Sequence, residues 1–282
     1  MSKKMAGEFA AAEAERLIEE WGLTSLPIDP FEIAKKHEIQ VMAKPPEAVG
    51  VSGFLTKIGD TFIIGHASNI RNDGFIRFTV SHELGHYFLP EHPMRLFPNG
   101  NGIHLSRSGF ISDDISEVEA DHFAAALLMP ESLFREAMSS AGEGFPAIET
   151  LSRQCKTSIT ATAIQYAKFA DDPVAIIVSS GKIVEYCFMS GALECVKGIE
   201  WIKKGSLLPR RCETVGFNQN AENIARTESV EAWSKLDDWF DGAPSLDVRE
   251  DVVGLGTYGK TLTVLFTDGV MEEADGQEFD DD

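Results

Sequence analysis

Positive charge is scarce in this 282-residue chain: 25 Lys and Arg stand against 45 Asp and Glu, a formal net charge of −20. Following a phosphate backbone needs a basic footprint, so the composition argues against non-specific nucleic-acid binding. Cysteine is scarce too. Cys155, Cys187, Cys195 and Cys212 form no Cys-x-x-Cys pair, which fits reduced, mostly buried thiols rather than a disulfide framework or a structural zinc site. No run approaches the roughly 18 apolar residues of a transmembrane helix. Lys3 and Lys4 are followed by Glu8, Glu13 and Glu15, not by the apolar stretch of a signal peptide. No internal repeat is visible. What remains is the expectation of a cytoplasmic, globular protein, 43% hydrophobic and long enough for two domains.

Against these absences stands one dense motif, Thr79-Val80-Ser81-His82-Glu83-Leu84-Gly85-His86-Tyr87-Phe88. It contains His-Glu-x-x-His. Two histidines four apart on a helix lie about 40° from each other, so both imidazoles can reach one Zn²⁺. Glu83 directly follows the first histidine, where a carboxylate can take a proton from metal-bound water. Ile76, Val80, Leu84 and Phe88 recur every four residues and predict a helix with an apolar stripe. His82 and His86 sit roughly 200° from that stripe. The expectation is one buried face and one face lining a cleft, with Pro90 ending the helix.

Around the motif, residues 6–20 predict an amphipathic helix burying Phe9, Ala10, Ala14, Leu17 and Ile18. Asp29 and Pro30 are placed to cap and open a second helix. Residues 39–42 read as a short strand, and residues 49–58 and 61–64 as strands joined at Gly59-Asp60. The second hairpin strand is either the edge of a substrate cleft, pairing with an extended peptide, or an ordinary core strand. Residues 90–111, with their prolines and glycines, read as a surface loop. Residues 112–129 form the next helix, capped by Ser112, Asp113 or Asp114 and left at Pro130. Residues 146–170 predict two short helices in a helix-turn-helix-like arrangement, with too few cations for direct DNA binding. Beyond Asp171-Asp172-Pro173 come strands at 174–178 and 182–189, a helix at 230–240 and a strand at 261–266. Seven of the last twelve residues are acidic, the composition of a disordered tail.

A catalytic zinc takes three protein ligands and keeps a fourth position for water. Three residues are candidates for the third. Glu117 has Asp121 one turn on, where that carboxylate can accept the free ring N–H of a ligand histidine; the same Glu117 also has capping-box spacing from Asp114. His92 stands ten residues after His82, as in the longer histidine motif. There, however, Leu89-Pro90 replaces the turning glycine, and a surface histidine is expected. Glu119 is the third. For oxyanion stabilisation His104, His122 and Tyr87 stay open.

The histidine motif, together with Glu117-Val118-Glu119-Ala120-Asp121-His122-Phe123-Ala124-Ala125-Ala126-Leu127-Leu128-Met129-Pro130 and the early Pro27-Ile28-Asp29-Pro30-Phe31-Glu32-Ile33-Ala34, resembles the ImmA/IrrE family of metallo-endopeptidases. The resemblance covers residues 6 to about 170. It implies an α+β fold with a thermolysin-like zincin domain, Zn²⁺ held by His82, His86 and Glu117, Glu83 as the catalytic glutamate, and Asp121 behind the ligands. It also implies a protein substrate: a helix-turn-helix repressor or antitoxin-like partner whose cleavage relieves repression, as in stress responses. The rival is a non-catalytic, zinc-containing regulator that binds such a repressor stoichiometrically. The expected domains are a peptidase domain at 1–145, the helical segment at 146–170, a smaller α+β domain of open role at 171–271 and the tail at 272–282. The oligomeric state stays open.

Overall fold

The computed structural model describes residues 2–44, 51–68, 72–106 and 114–267. The fold is α+β, in two compact units, Met1–Gln165 and Tyr166–Asp282. The acidic tail lies outside the described residues. No described helix is long and apolar enough to cross a membrane.

The first unit opens with α1 (Lys3–Glu20), capped by the Ser2 hydroxyl, and α2 (Pro30–Lys36), whose Phe31 N–H donates to Asp29 at 3.0 Å. Strands β1 (Gln40–Ala43), β2 (Gly53–Ile58) and β3 (Thr61–His66) follow, then α3 (Asp73–Phe88), α4 (His92–Leu96), β4 (Gly102–Ser106) and α5 (Ile115–Leu128). Helices α6 (Glu131–Ala141), α7 (Gly144–Cys155) and α8 (Ile159–Phe169) come next, α8 running across the division between the units. Among the described residues the sheet order is β1-β3-β2-β4. Leu55 is in register with Ile64 on one side and His104 on the other. Cross-strand neighbours share a face, and Leu55 and Ile64 are fully buried on the face that meets α3. The register therefore puts His104 on the α3 side.

Helix α3 is capped by Asn72, whose side chain accepts from Phe75 N–H at 3.0 Å, and ends at Phe88 as Pro90 requires. It is not half-exposed, as its apolar stripe predicts. Every residue from Thr79 to His86 is buried, because α5 packs on the side away from the sheet. Val80, Leu84, Phe123 and Leu127 share one core with Ala14 and Leu17 of α1. Phe9, expected among them, is exposed.

One further expectation fails in this unit, and one open alternative is decided. Residues 90–111 are not all loop: α4 and β4 lie there, and 107–111 fall outside the described residues. In β4 the apolar Ile103 and Leu105 face solvent while His104 and Ser106 face inward, which inverts the usual strand signal. Nor is the second hairpin strand an edge. β3 pairs with β1 and β2, so it is a core strand, and β4 takes the outer position beside β2.

In the second unit β5 (Val174–Ser180), β6 (Ile183–Met189), α9 (Gly191–Glu194), α10 (Glu213–Phe217), α11 (Ala221–Ala225), β7 (Ser229–Lys235), α12 (Leu236–Trp239), β8 (Asp247–Gly254) and β9 (Thr261–Phe266) form an antiparallel sheet of order β6-β5-β9-β8-β7 with short helices between strands. The helix expected at 230–240 is mostly β7. Its exposure alternates residue by residue, the period of a strand, and Trp233 points to solvent; only the end is helical. β8 escapes a sequence reading because its centre is charged. Glu250 there is fully buried, accepting from the Thr214 N–H at 2.8 Å, the Glu213 N–H at 3.2 Å and the Thr214 hydroxyl at 2.7 Å. It caps α10 from across the sheet. Glu250→Leu strips those donors of their acceptor and should destabilise the protein by about 3 kcal/mol in urea unfolding.

Candidate metal centre

The first turn of α5 is set by Asp114, whose side chain accepts from the Ser116 N–H at 2.9 Å. Asp114 caps alone; Glu117 does not close a capping box but turns toward α3. The approach of the two helices depends on Gly85, where a Cβ would lie 3.2 Å from Ala120 Cα. Across that contact three donors converge. His82 Nε2 and His86 Nε2 are 3.1 Å apart, and the Glu117 oxygens lie 3.4 Å from the first and 3.2 Å from the second. Donors held about 2.05 Å from one tetrahedral centre would be roughly 3.3 Å apart. His82, His86 and Glu117 thus form a group that fits a metal ion.

The electrostatics agree with the geometry. Burial opposes charge on His82, but hydrogen bonds to Asp121 and Glu117 outweigh it and hold its pKa up at about 10. Burial drives His86 down to about 3 against the pull of Glu117. Glu117 resists its own burial because His104, His82 and His86 all bond to it, and its pKa lies far below the usual carboxylate range.

The remaining residues take distinct places. His82 Nδ1 meets Asp121 Oδ1 at 2.8 Å, so the carboxylate holds the proton on Nδ1 and leaves Nε2 as a donor atom. His104 Nε2 donates to Glu117 at 2.8 Å, its ring centroid 4.5 Å from that of His86. Of the three oxyanion candidates, His104 alone touches the donor group. Tyr87 packs on Phe62 and Phe88, and the His122 ring packs on α1 at Gly7. His92 is 1% exposed, not a surface histidine; it bonds to Glu119 on one side and faces His86 Nδ1 on the other, without being one of the three donors.

Glu83 is fully buried, and among the described residues neither of its oxygens nor the nearby Ser106 hydroxyl has a hydrogen-bond partner in bonding geometry. Burial raises its pKa to about 7, with His82, Ser106 and His104 pulling it back. A buried carboxylate with both oxygens unbonded is the group an ion or its water would satisfy. Its seat exists because residue 53 is glycine: a Cβ there would lie 2.4 Å from Thr79 Cγ2 and 2.8 Å from Glu83 Oε1. Gly53→Ala should cost about 1–3 kcal/mol by overpacking, read as a lower melting temperature with metal binding retained. No sequence signal marks Gly53, whose role depends on β2 crossing α3.

Residues 34–144 match the family model of the IrrE N-terminal-like domain, Peptidase_M78. The matched stretch contains His82, Glu83, His86, Glu117 and Asp121. No curated protein matches the chain. Among solved structures, a Mycobacterium tuberculosis transcriptional regulator is similar, with a TM-score of 0.56 at 13% identity, over 94% of this chain and 82% of that one. At that identity the likeness speaks for the fold alone. The matched stretch spans both helices of the donor group, so residues 34–144 are similar to an IrrE N-terminal-like domain.

Proposed function

We propose that this chain is a zinc-dependent endopeptidase of the cytoplasm that cleaves a helix-turn-helix repressor or antitoxin-like protein and so relieves repression. The observation that carries the reading is the His82, His86 and Glu117 triangle with the buried, unbonded Glu83 beside it. A zinc ion held by the three donors would polarise a carbonyl and acidify water. Glu83 has the place and the raised pKa to accept a proton and return it to the leaving amine. His104 donates toward the donor group from β4 and is the side chain best placed to face a developing oxyanion.

Substrate binding follows from the sheet. Among the described residues β4 pairs only with β2, and its other edge can take an extended peptide through main-chain hydrogen bonds. Ile103 and Leu105 flank His104 on the solvent side and offer apolar contact to such a strand. The rival, a zinc-containing regulator that binds a repressor without cutting it, gives Glu83 no task. The two readings separate in one experiment: zinc-loaded protein is mixed with a candidate helix-turn-helix repressor, and intact masses are measured. Fragments formed by the wild type and absent with Glu83→Gln support the peptidase; a stable complex with uncut partner for both favours the regulator.

A further inference from the structure

His86 must keep the lone pair of Nε2 for the metal, so its proton belongs on Nδ1. For His82 a carboxylate, Asp121, enforces that arrangement directly. For His86 no carboxylate among the described residues is bonded to Nδ1. The neighbour there is a second imidazole: His86 Nδ1 and His92 Nδ1 are 3.1 Å apart, with ring centroids 5.2 Å apart. Behind it, His92 Nε2 meets Glu119 Oε2 at 2.9 Å.

The protons in this chain of bonds are determined from its far end. An ionised carboxylate only accepts, so His92 Nε2 carries a hydrogen. In a neutral ring His92 Nδ1 is then an acceptor. Two facing Nδ1 atoms bond only when one carries a proton, which must be His86's. Its Nε2 is left bare, aimed at His82 and Glu117. We infer that His92 and Glu119 are positioning residues that fix the tautomer and ring angle of the metal ligand His86 through two successive hydrogen bonds. The inference rests on the metal-centre reading above.

The backbone is arranged to deliver His92 to this place. After α3 ends, Pro90 and Glu91 reverse the chain, Glu91 in the left-handed region at φ 69°, a conformation uncommon outside glycine. That turn supplies the reversal a glycine supplies in the longer histidine motif. The His92 N–H then donates to the Leu89 carbonyl at 3.3 Å. Arg95, one turn on in α4, donates to the Ser116 hydroxyl at 2.6 Å and ties α4 to the first turn of α5, at the residue directly before Glu117. His92 and Glu119 are both buried, at 1% and 7% exposure, so the pair is shielded from competing water.

The test measures zinc affinity by competition with a chelator, together with melting of the metal-free proteins. His92→Leu should bind zinc roughly 10- to 100-fold more weakly, the usual cost of losing an outer partner of a ligand. His92→Gln should recover most of the loss, since an amide can accept from His86 and donate to Glu119. A merely structural role would instead lower the metal-free melting temperature and leave zinc affinity unchanged in both. Should His92→Leu fail to fold, Glu119→Ala decides: weakened zinc binding supports the relay, and wild-type affinity overturns it. Equal losses in His92→Leu and His92→Gln also overturn it. Wild-type protein that takes up no zinc overturns the metal-centre reading itself, and the relay with it; wild-type binding with unaffected variants overturns the relay alone.

Discussion

Glu117→Ala is expected to lose zinc almost completely, a fall well beyond the roughly 10- to 100-fold that an outer partner accounts for. Two of the three edges of the donor triangle end on the Glu117 carboxylate, and the other acids of α5 are engaged elsewhere: Glu119 is bonded to His92 and Asp121 to His82. The same carboxylate neutralises a cluster of three histidines, His82, His86 and His104. Without it, the metal would lose the one anionic donor of the triangle. Chelator competition reads the affinity and thermal melting controls for folding. Were Glu117 simply a helix cap, its loss would cost about 1 kcal/mol of stability and spare the metal.

Glu83→Gln should behave in the opposite way, keeping the zinc and losing the cleavage. Glu83 belongs to no edge of the triangle, so the donors keep their spacing. An amide cannot shuttle a proton, and general acid–base catalysis typically contributes about 10²- to 10⁴-fold. Zinc content, measured beside the rate of fragment formation, should therefore stay at the wild-type level while the rate falls by about that factor. A variant that cuts as fast as wild type would assign the proton transfer to another group, with His104 the nearest in place.

The parts legible in the sequence are those whose signals are local. Asn72 aside, α3 announces itself by its stripe and by Pro90, and Glu117 and Asp121 by their spacing on one helix. Both land beside the histidines in the structure. The failures come from tertiary context. β4 hides because its apolar side faces out and its inward side carries His104. β7 was masked by Trp233, which mimics a helical stripe with Leu236, Trp239 and Phe240 although it is exposed. His92 is misread as a surface group because the turn before it uses a left-handed Glu91, and nothing in Leu89-Pro90-Glu91 signals that conformation. Its link to Glu119 spans 27 positions and has no periodicity to betray it.

The complete burial of α3 from Thr79 to His86 carries a consequence for the life of the protein. The donor histidines are buried along with the apolar residues of the same helix. Binding of an ion by this group would be linked to folding. An ion at one hundred times its dissociation constant adds about 2.7 kcal/mol to the native state, a large share of the margin by which a domain survives. When the supply of the ion falls, the chain forfeits that margin, and the population open to degradation rises with it. Abundance would then follow metal supply, so a starved cell would hold fewer copies as well as emptier ones.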